Sequence, residues 1–120
     1  MDRSAASTLR QRLRALREER RKIEDDLLQP GRLLRASLIE RFLGSGEQRR
    51  ATPAYYLSVP GEGGRPRLLY VRQGDLERVR RDVQAYRRFR QALRRLRVLG
   101  REIQSTLEAL GRSLETEPPR

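Results

Sequence analysis

Leu9, Leu13, Leu16, Ile23 and Leu27 recur at steps of four, three, seven and four residues, with Arg20 in the one seam position that lacks an apolar side chain. This a/d heptad spacing restricts the segment to a helix buried along a narrow stripe. The spacing returns in the second half of the chain. Leu76, Val79, Val83, Tyr86 and Leu93 keep one heptad phase, in which Arg90 takes a seam slot. Phe89, Leu93, Leu96, Ile103, Leu107, Leu110 and Leu114 keep another, with Gly100 in a seam slot. The phase slips near Phe89, a stammer that overwinds a coil or widens its buried face. With 36% apolar and 37% charged residues the chain has too little apolar material for a thick core, but enough for narrow seams.

Pro and Gly set the limits of these helices. Ser7 or Thr8 is a candidate N-cap and Gln29-Pro30-Gly31 a stop, which predicts a first helix over 8–28. Asp75 after Gly74 caps a second helix over 75–114, and Pro118-Pro119 lies in a tail over 115–120. Gly100 costs about 1 kcal/mol against Ala inside a helix and marks a bend or a close helix crossing. Between the helices, AYYLSV (54–59) and RLLYVR (67–72) flank a Gly/Pro turn from Pro60 to Pro66, so 54–72 is predicted as an antiparallel hairpin. Tyr55, Leu57 and Val59 alternate onto one face, where Leu69 and Val71 meet them. An isolated hairpin is marginal and must pack on the helices.

Residues 32–43 fit two patterns. As a strand they put Leu34, Ala36, Leu38 and Phe42 on one face beside Glu40; as a helix they align Leu34, Leu38 and Phe42. Residues 44–53 are loop by their Gly, Ser and Pro content. Length predicts one domain over 1–120. The second helix is nearly twice as long as the first, so antiparallel packing within one chain leaves 103–114 uncovered and predicts a homodimer through those residues.

Composition removes whole classes of function. The chain has no Cys and no His, hence no disulfide, no thiolate chemistry and none of the usual ligands of zinc, haem or iron–sulfur clusters; no metal and no cofactor is expected. No apolar run approaches the ~20 residues of a membrane span, and the first residues lack the apolar core of a secretory signal. Arg and Ser near Met1 faintly suggest an organellar transit peptide, but Glu18, Glu19, Glu24, Asp25 and Asp26 follow closely, so a cytoplasmic location is expected. Glu18-Glu19 and Asp25-Asp26 are helical neighbours pointing ~100° apart and cannot share a site. Gly61-Glu-Gly-Gly lacks the Lys and following helix of a phosphate-cradling loop. The expectation is a protein that is not an enzyme.

What remains is charge. The formal net charge is +12, and all 28 basic residues are arginine except Lys22. Arginine forks onto phosphate and carboxylate, although a GC-rich genome favours Arg codons whatever the function. Arg80, Arg87, Arg94 and Arg101 lie seven residues apart, and Arg81, Arg88 and Arg95 run one position behind. Positions seven apart differ by only ~20° around a helix, so both series form one stripe, about 30 Å long. Arg78, Arg90 and Arg97 widen it, and Asp82 is the only acid from 78 to 101; the first helix is nearly balanced by its own acids. Such a stripe suits the phosphate backbone of DNA or RNA. It also suits an acidic protein surface, or is merely a solvated coiled-coil face. Tyr55, Tyr56 and Tyr70 are candidates for base stacking beside the stripe, or are packing residues of the hairpin. A membrane-surface helix fits less well, because the apolar face has no Trp and is needed for folding.

The motifs Arg35-Ala-Ser-Leu-Ile-Glu-Arg41, Ala54-Tyr-Tyr-Leu-Ser58, Tyr70-Val71 and the Arg-rich helix through Tyr86-Arg-Arg88 resemble a prokaryotic domain-of-unknown-function family of short basic proteins, over roughly residues 31–100. Members of that family usually have Gly where Ala36 stands, in a segment that forms a strand, so the resemblance favours strand for 33–43. They commonly carry a cysteine cluster where this chain has Gly44-Ser-Gly-Glu-Gln-Arg-Arg50, so any metal knuckle is lost here. The resemblance implies a three-stranded sheet between helices and adds little on function. The expected fold is therefore α+β and mainly helical, with two long amphipathic, coiled-coil-like helices flanking a small antiparallel three-stranded sheet. The expected function is non-enzymatic nucleic-acid binding through the stripe, or else that of a coiled-coil adaptor for an acidic protein.

Overall fold

A computed structural model describes residues 3–120 and gives a mainly helical chain with one three-stranded antiparallel sheet. The order is α1 (Arg3–Leu28), β1 (Ser37–Arg41), β2 (Ala54–Val59), β3 (Arg67–Val71) and α2 (Leu76–Ser113). Single turns of 3-10 helix stand at Gly46–Gln48, Glu62–Gly64 and Gln73–Asp75. Contacts gather into two compact units: Pro30–Phe89, and α1 with Arg90–Arg120. Helix α2 supplies 76–89 to the sheet unit and 90–113 to the helical unit.

In the sheet unit the strands lie in the order β1-β2-β3. The predicted hairpin forms, with Leu69 and Val71 meeting the expected face: Tyr55 faces Val71, Leu57 faces Leu69, and Val59 faces Arg67. Gly63 and Gly64 take left-handed φ values of 65° and 76° in the connecting turn, a conformation that costs Gly nothing. The strand reading of 33–43 is right in kind but long, since pairing covers only Ser37–Arg41. Leu34 and Ala36 still reach the core from the extended approach, where the Leu34 N–H donates to the Asp82 carbonyl at 3.1 Å. Phe42 turns outward under the Arg49 guanidinium, 4.7 Å from its ring centre. Leu57, Val71, Leu76 and Val83 are buried together, with Leu38, Tyr55, Val59 and Val79 packed around them. One face of the sheet thus lies against the first turns of α2.

In the helical unit α1 and the later part of α2 run antiparallel. The cross-helix pairs Arg12–Glu102 (3.6 Å) and Glu19–Arg95 (2.9 Å) lie seven residues apart on each helix in opposite directions, which keeps one register. The core is Leu13, Leu16, Leu99 and Ile103, with Ile23 and Leu110 against it. Helix α1 begins at Arg3 rather than at 8. Thr8 is not a cap; its hydroxyl donates to the Ser4 carbonyl one turn back, at 3.0 Å. The added turns bury Ala6 and extend the seam.

Two expectations about α2 are corrected by this register. Its buried stripe is Leu99, Ile103 and Thr106, with Leu110 partly buried beyond them, whereas Leu107, predicted in the seam, is 49% exposed. Gly100 is exposed, and no atom beyond its own helix backbone stands within 4 Å of where a Cβ would be, so it marks no close crossing. Over 103–114, the stretch expected to lie uncovered, the side chains divide, with Leu107 open to solvent. Ile103 and Leu110 pack on α1 of their own chain, and the excess length of α2 lies at its start, where the sheet covers it.

Candidate nucleic-acid interface

Every arginine from Arg78 to Arg101 is exposed, because the apolar positions of α2 claim the opposite sides of the helix. Exposure alone does not make a phosphate site; what matters is which guanidinium groups are already matched by an acid. In the sheet unit, Arg80 lies over the Tyr55 ring at 5.6 Å. Arg81 stands 3.9 Å from the carboxylate of Asp82, whose side chain is mostly covered. Arg87 and Arg88 make no ion pair among the described residues. The pair therefore presents two adjacent, unneutralised forks.

In the helical unit the predicted residues divide. Arg94 and Arg101 have no ion-pair partner among the described residues. Arg95, by contrast, donates through Nε and Nη2 to the two carboxylate oxygens of Glu19, each at 2.9 Å, and lies 3.9 Å from Glu102. The hydrogen bond from Arg95 holds the Glu19 carboxyl below the usual glutamate range, and the same bond raises the Arg95 guanidinium. Arg95 is a clasp between α1 and α2, so its charge is spent inside the fold.

Helix α1 adds cations that sequence reasoning passed over. Its acids are confined to the second half, where Arg21 bridges Glu18 (2.6 Å) and Asp25 (3.1 Å) and Arg20 meets Glu24 at 3.4 Å. From Arg3 to Arg17 there is no acid, and Arg10, Arg14 and Arg17 are exposed without an ion pair among the described residues. The segregation was visible in the sequence, but averaging charge over the whole helix concealed it.

The three tyrosines also separate. Tyr55 points into the sheet unit's core beneath Arg80 and is not available for stacking. Tyr56 and Tyr70 share the opposite face, edge to face, with ring centres 5.7 Å apart at 69°. Arg41 covers the Tyr56 ring at 5.9 Å. Among the described residues no helix is long and apolar enough to cross a membrane. No family model, curated protein or solved structure matches the chain.

Proposed function

We propose that the chain is a cytoplasmic, non-enzymatic nucleic-acid-binding protein that grips phosphate backbones through exposed arginines of α2. The observation that carries this reading is the set Arg87, Arg88, Arg94 and Arg101, exposed and without an ion pair among the described residues. Uncompensated like charges repel one another along a helix, and a polyanion removes that repulsion while its counterions are released. Arg80 and Arg81 extend the sheet unit's share; Arg95 supports the fold instead. Fluorescence anisotropy with labelled DNA and RNA at low and moderate salt tests the reading. Changing Arg80, Arg87 and Arg94 together to Gln is expected to lower the salt slope by about 3, one per lost phosphate contact. Absence of binding at ~50 mM salt, or an unchanged triple variant, refutes it.

A second reading, an adaptor for an acidic protein, draws on one observation. The half-exposed Leu107 lines a groove of the helical unit beside Arg17, Arg20 and Gly100, a shape and charge suited to an acidic amphipathic helix. Binding to such a peptide that survives the triple substitution, with no binding to nucleic acid, favours it.

A further inference from the structure

The face of the sheet turned away from the core has no covering element within its unit. The register sets Ile39, Tyr56 and Tyr70 side by side across all three strands. The next row on that face is Ser37, Ser58 and Leu68, and the row on the other side begins with Arg41 and Ala54. Arg72 follows β3 in extended backbone (φ −69°, ψ 146°), so strand alternation carries it to the same face. None of these positions is acidic. Tyr70 is 65% and Leu68 48% exposed, so the centre of the face is a wet aromatic and aliphatic patch. Folding gains little from side chains left this open, and exposed apolar patches generally mark contact surfaces.

We propose that this face is a stacking platform for a single strand of RNA. The inference rests on the nucleic-acid reading above and names the form of nucleic acid that the sheet unit takes. A ring as open as that of Tyr70 offers its π face to an unpaired base, while paired bases inside a duplex have no free face to offer. The edge-to-face contact with Tyr56 fixes the Tyr70 ring, so stacking costs little side-chain freedom. Arg41, held over Tyr56, and Arg72 supply cations on the two edge strands in the row beside the aromatic one, where the phosphates of a strand crossing the sheet pass. The hydroxyls of Ser37 and Ser58 lie opposite one another in the adjoining row, and a ribose 2′-OH is the group that both donates to and accepts from such hydroxyls. An acidic peptide would use the arginines but leave the aromatic centre without a purpose.

The chain contains no Trp, so Tyr70→Trp places a single indole on this face as a reporter. The full-length protein is titrated with a pyrimidine-rich RNA strand, the DNA strand of the same sequence, and the RNA duplex. The expected result is preferential binding of the RNA strand, with the indole emission of Tyr70→Trp quenched by that strand and not by the duplex. Tyr70→Thr keeps a good strand former without a ring, and is expected to weaken RNA-strand binding about 5- to 150-fold while leaving duplex binding unchanged. Tyr56→Ala tests the platform a second way and is expected to weaken the same ligand, with thermal melts confirming that both variants fold. An unchanged affinity in Tyr70→Thr, or equal quenching by the duplex, overturns the platform. Equal affinity for the DNA strand overturns the assignment to RNA. If duplex binding persists and depends on Arg87 and Arg94 while Tyr70→Thr is silent, the platform fails and the phosphate reading stands. If the triple Gln variant is silent while Tyr70→Thr loses the RNA strand, the reverse holds.

Discussion

The register of the helical unit makes opposite demands on Leu99 and Leu107, two leucines eight residues apart on one helix. Leu99 has no exposed surface and touches the buried Leu13, Leu16 and Ile103 cluster; Leu107 is 49% exposed. Truncating Leu99 to Ala removes three carbon groups from the core, a transfer loss of about 2.4 kcal/mol at ~0.8 kcal/mol per group. The cavity left between two stiff helices relaxes only in part, which brings the total to about 3–4 kcal/mol. Truncating Leu107 forfeits about half the transfer term and opens no closed void, so its cost is about 1 kcal/mol. Urea unfolding followed by far-ultraviolet circular dichroism separates the two, provided that the slopes against denaturant agree. A Leu107→Ala variant as unstable as Leu99→Ala refutes the register and restores the seam through Gly100 and Leu107.

Three further outcomes follow from the same contacts. Gly100→Ala is expected to raise stability by about 0.5–1 kcal/mol, because the new methyl group meets open space and the unfolded chain loses freedom; a loss of stability places Gly100 at a close contact after all. The lowered carboxyls of Glu19 and Glu18, each hydrogen-bonded by an arginine, add stability above their unfolded pKa that is lost as pH falls through the lower folded values. Acid titration of stability below about pH 4.3 should therefore flatten in Glu19→Gln, and an unchanged acid limb contradicts the Arg95 clasp. Light scattering at several concentrations tests the expected homodimer: a mass of twice 14.1 kDa that falls in Leu107→Arg supports pairing through the exposed part of 103–114, and 14.1 kDa at every concentration removes it.

Much of the architecture was legible because its signals are local. Strand alternation set Tyr55, Leu57 and Val59 on the core face, and the Gly/Pro turn set the hairpin. The phase of α2 was not legible, for a specific reason. The true stripe includes Thr106, which hydropathy rejects, although its hydroxyl is satisfied by the Glu102 carbonyl at 2.7 Å within the helix. A search for Leu at every slot then moves by one residue and takes Leu107. The start of α1 was missed similarly, since Thr8 has the chemistry of a cap but bonds backward to Ser4. Alternation separated Tyr55 from Tyr56 and Tyr70 in principle. The role of Arg95 had no local trace, because its partner Glu19 lies 76 residues away in the chain.

That last contact changes how the charge is weighed. In the helical unit Arg12, Arg20, Arg21 and Arg95 are met by α1 acids or Glu102 among the described residues. In the sheet unit thirteen arginines stand against six acids, and of those acids only Asp75 and Asp82 meet an arginine among the described residues. The larger share of the surplus, seven of the twelve net charges, thus lies in the unit that also carries the open aromatic face. A solvated helix face explains arginines alone, and an apolar sheet face explains tyrosines alone. Their coincidence in one small unit, with no acid on the aromatic face, is what a ligand combining phosphate with flat unpaired rings requires.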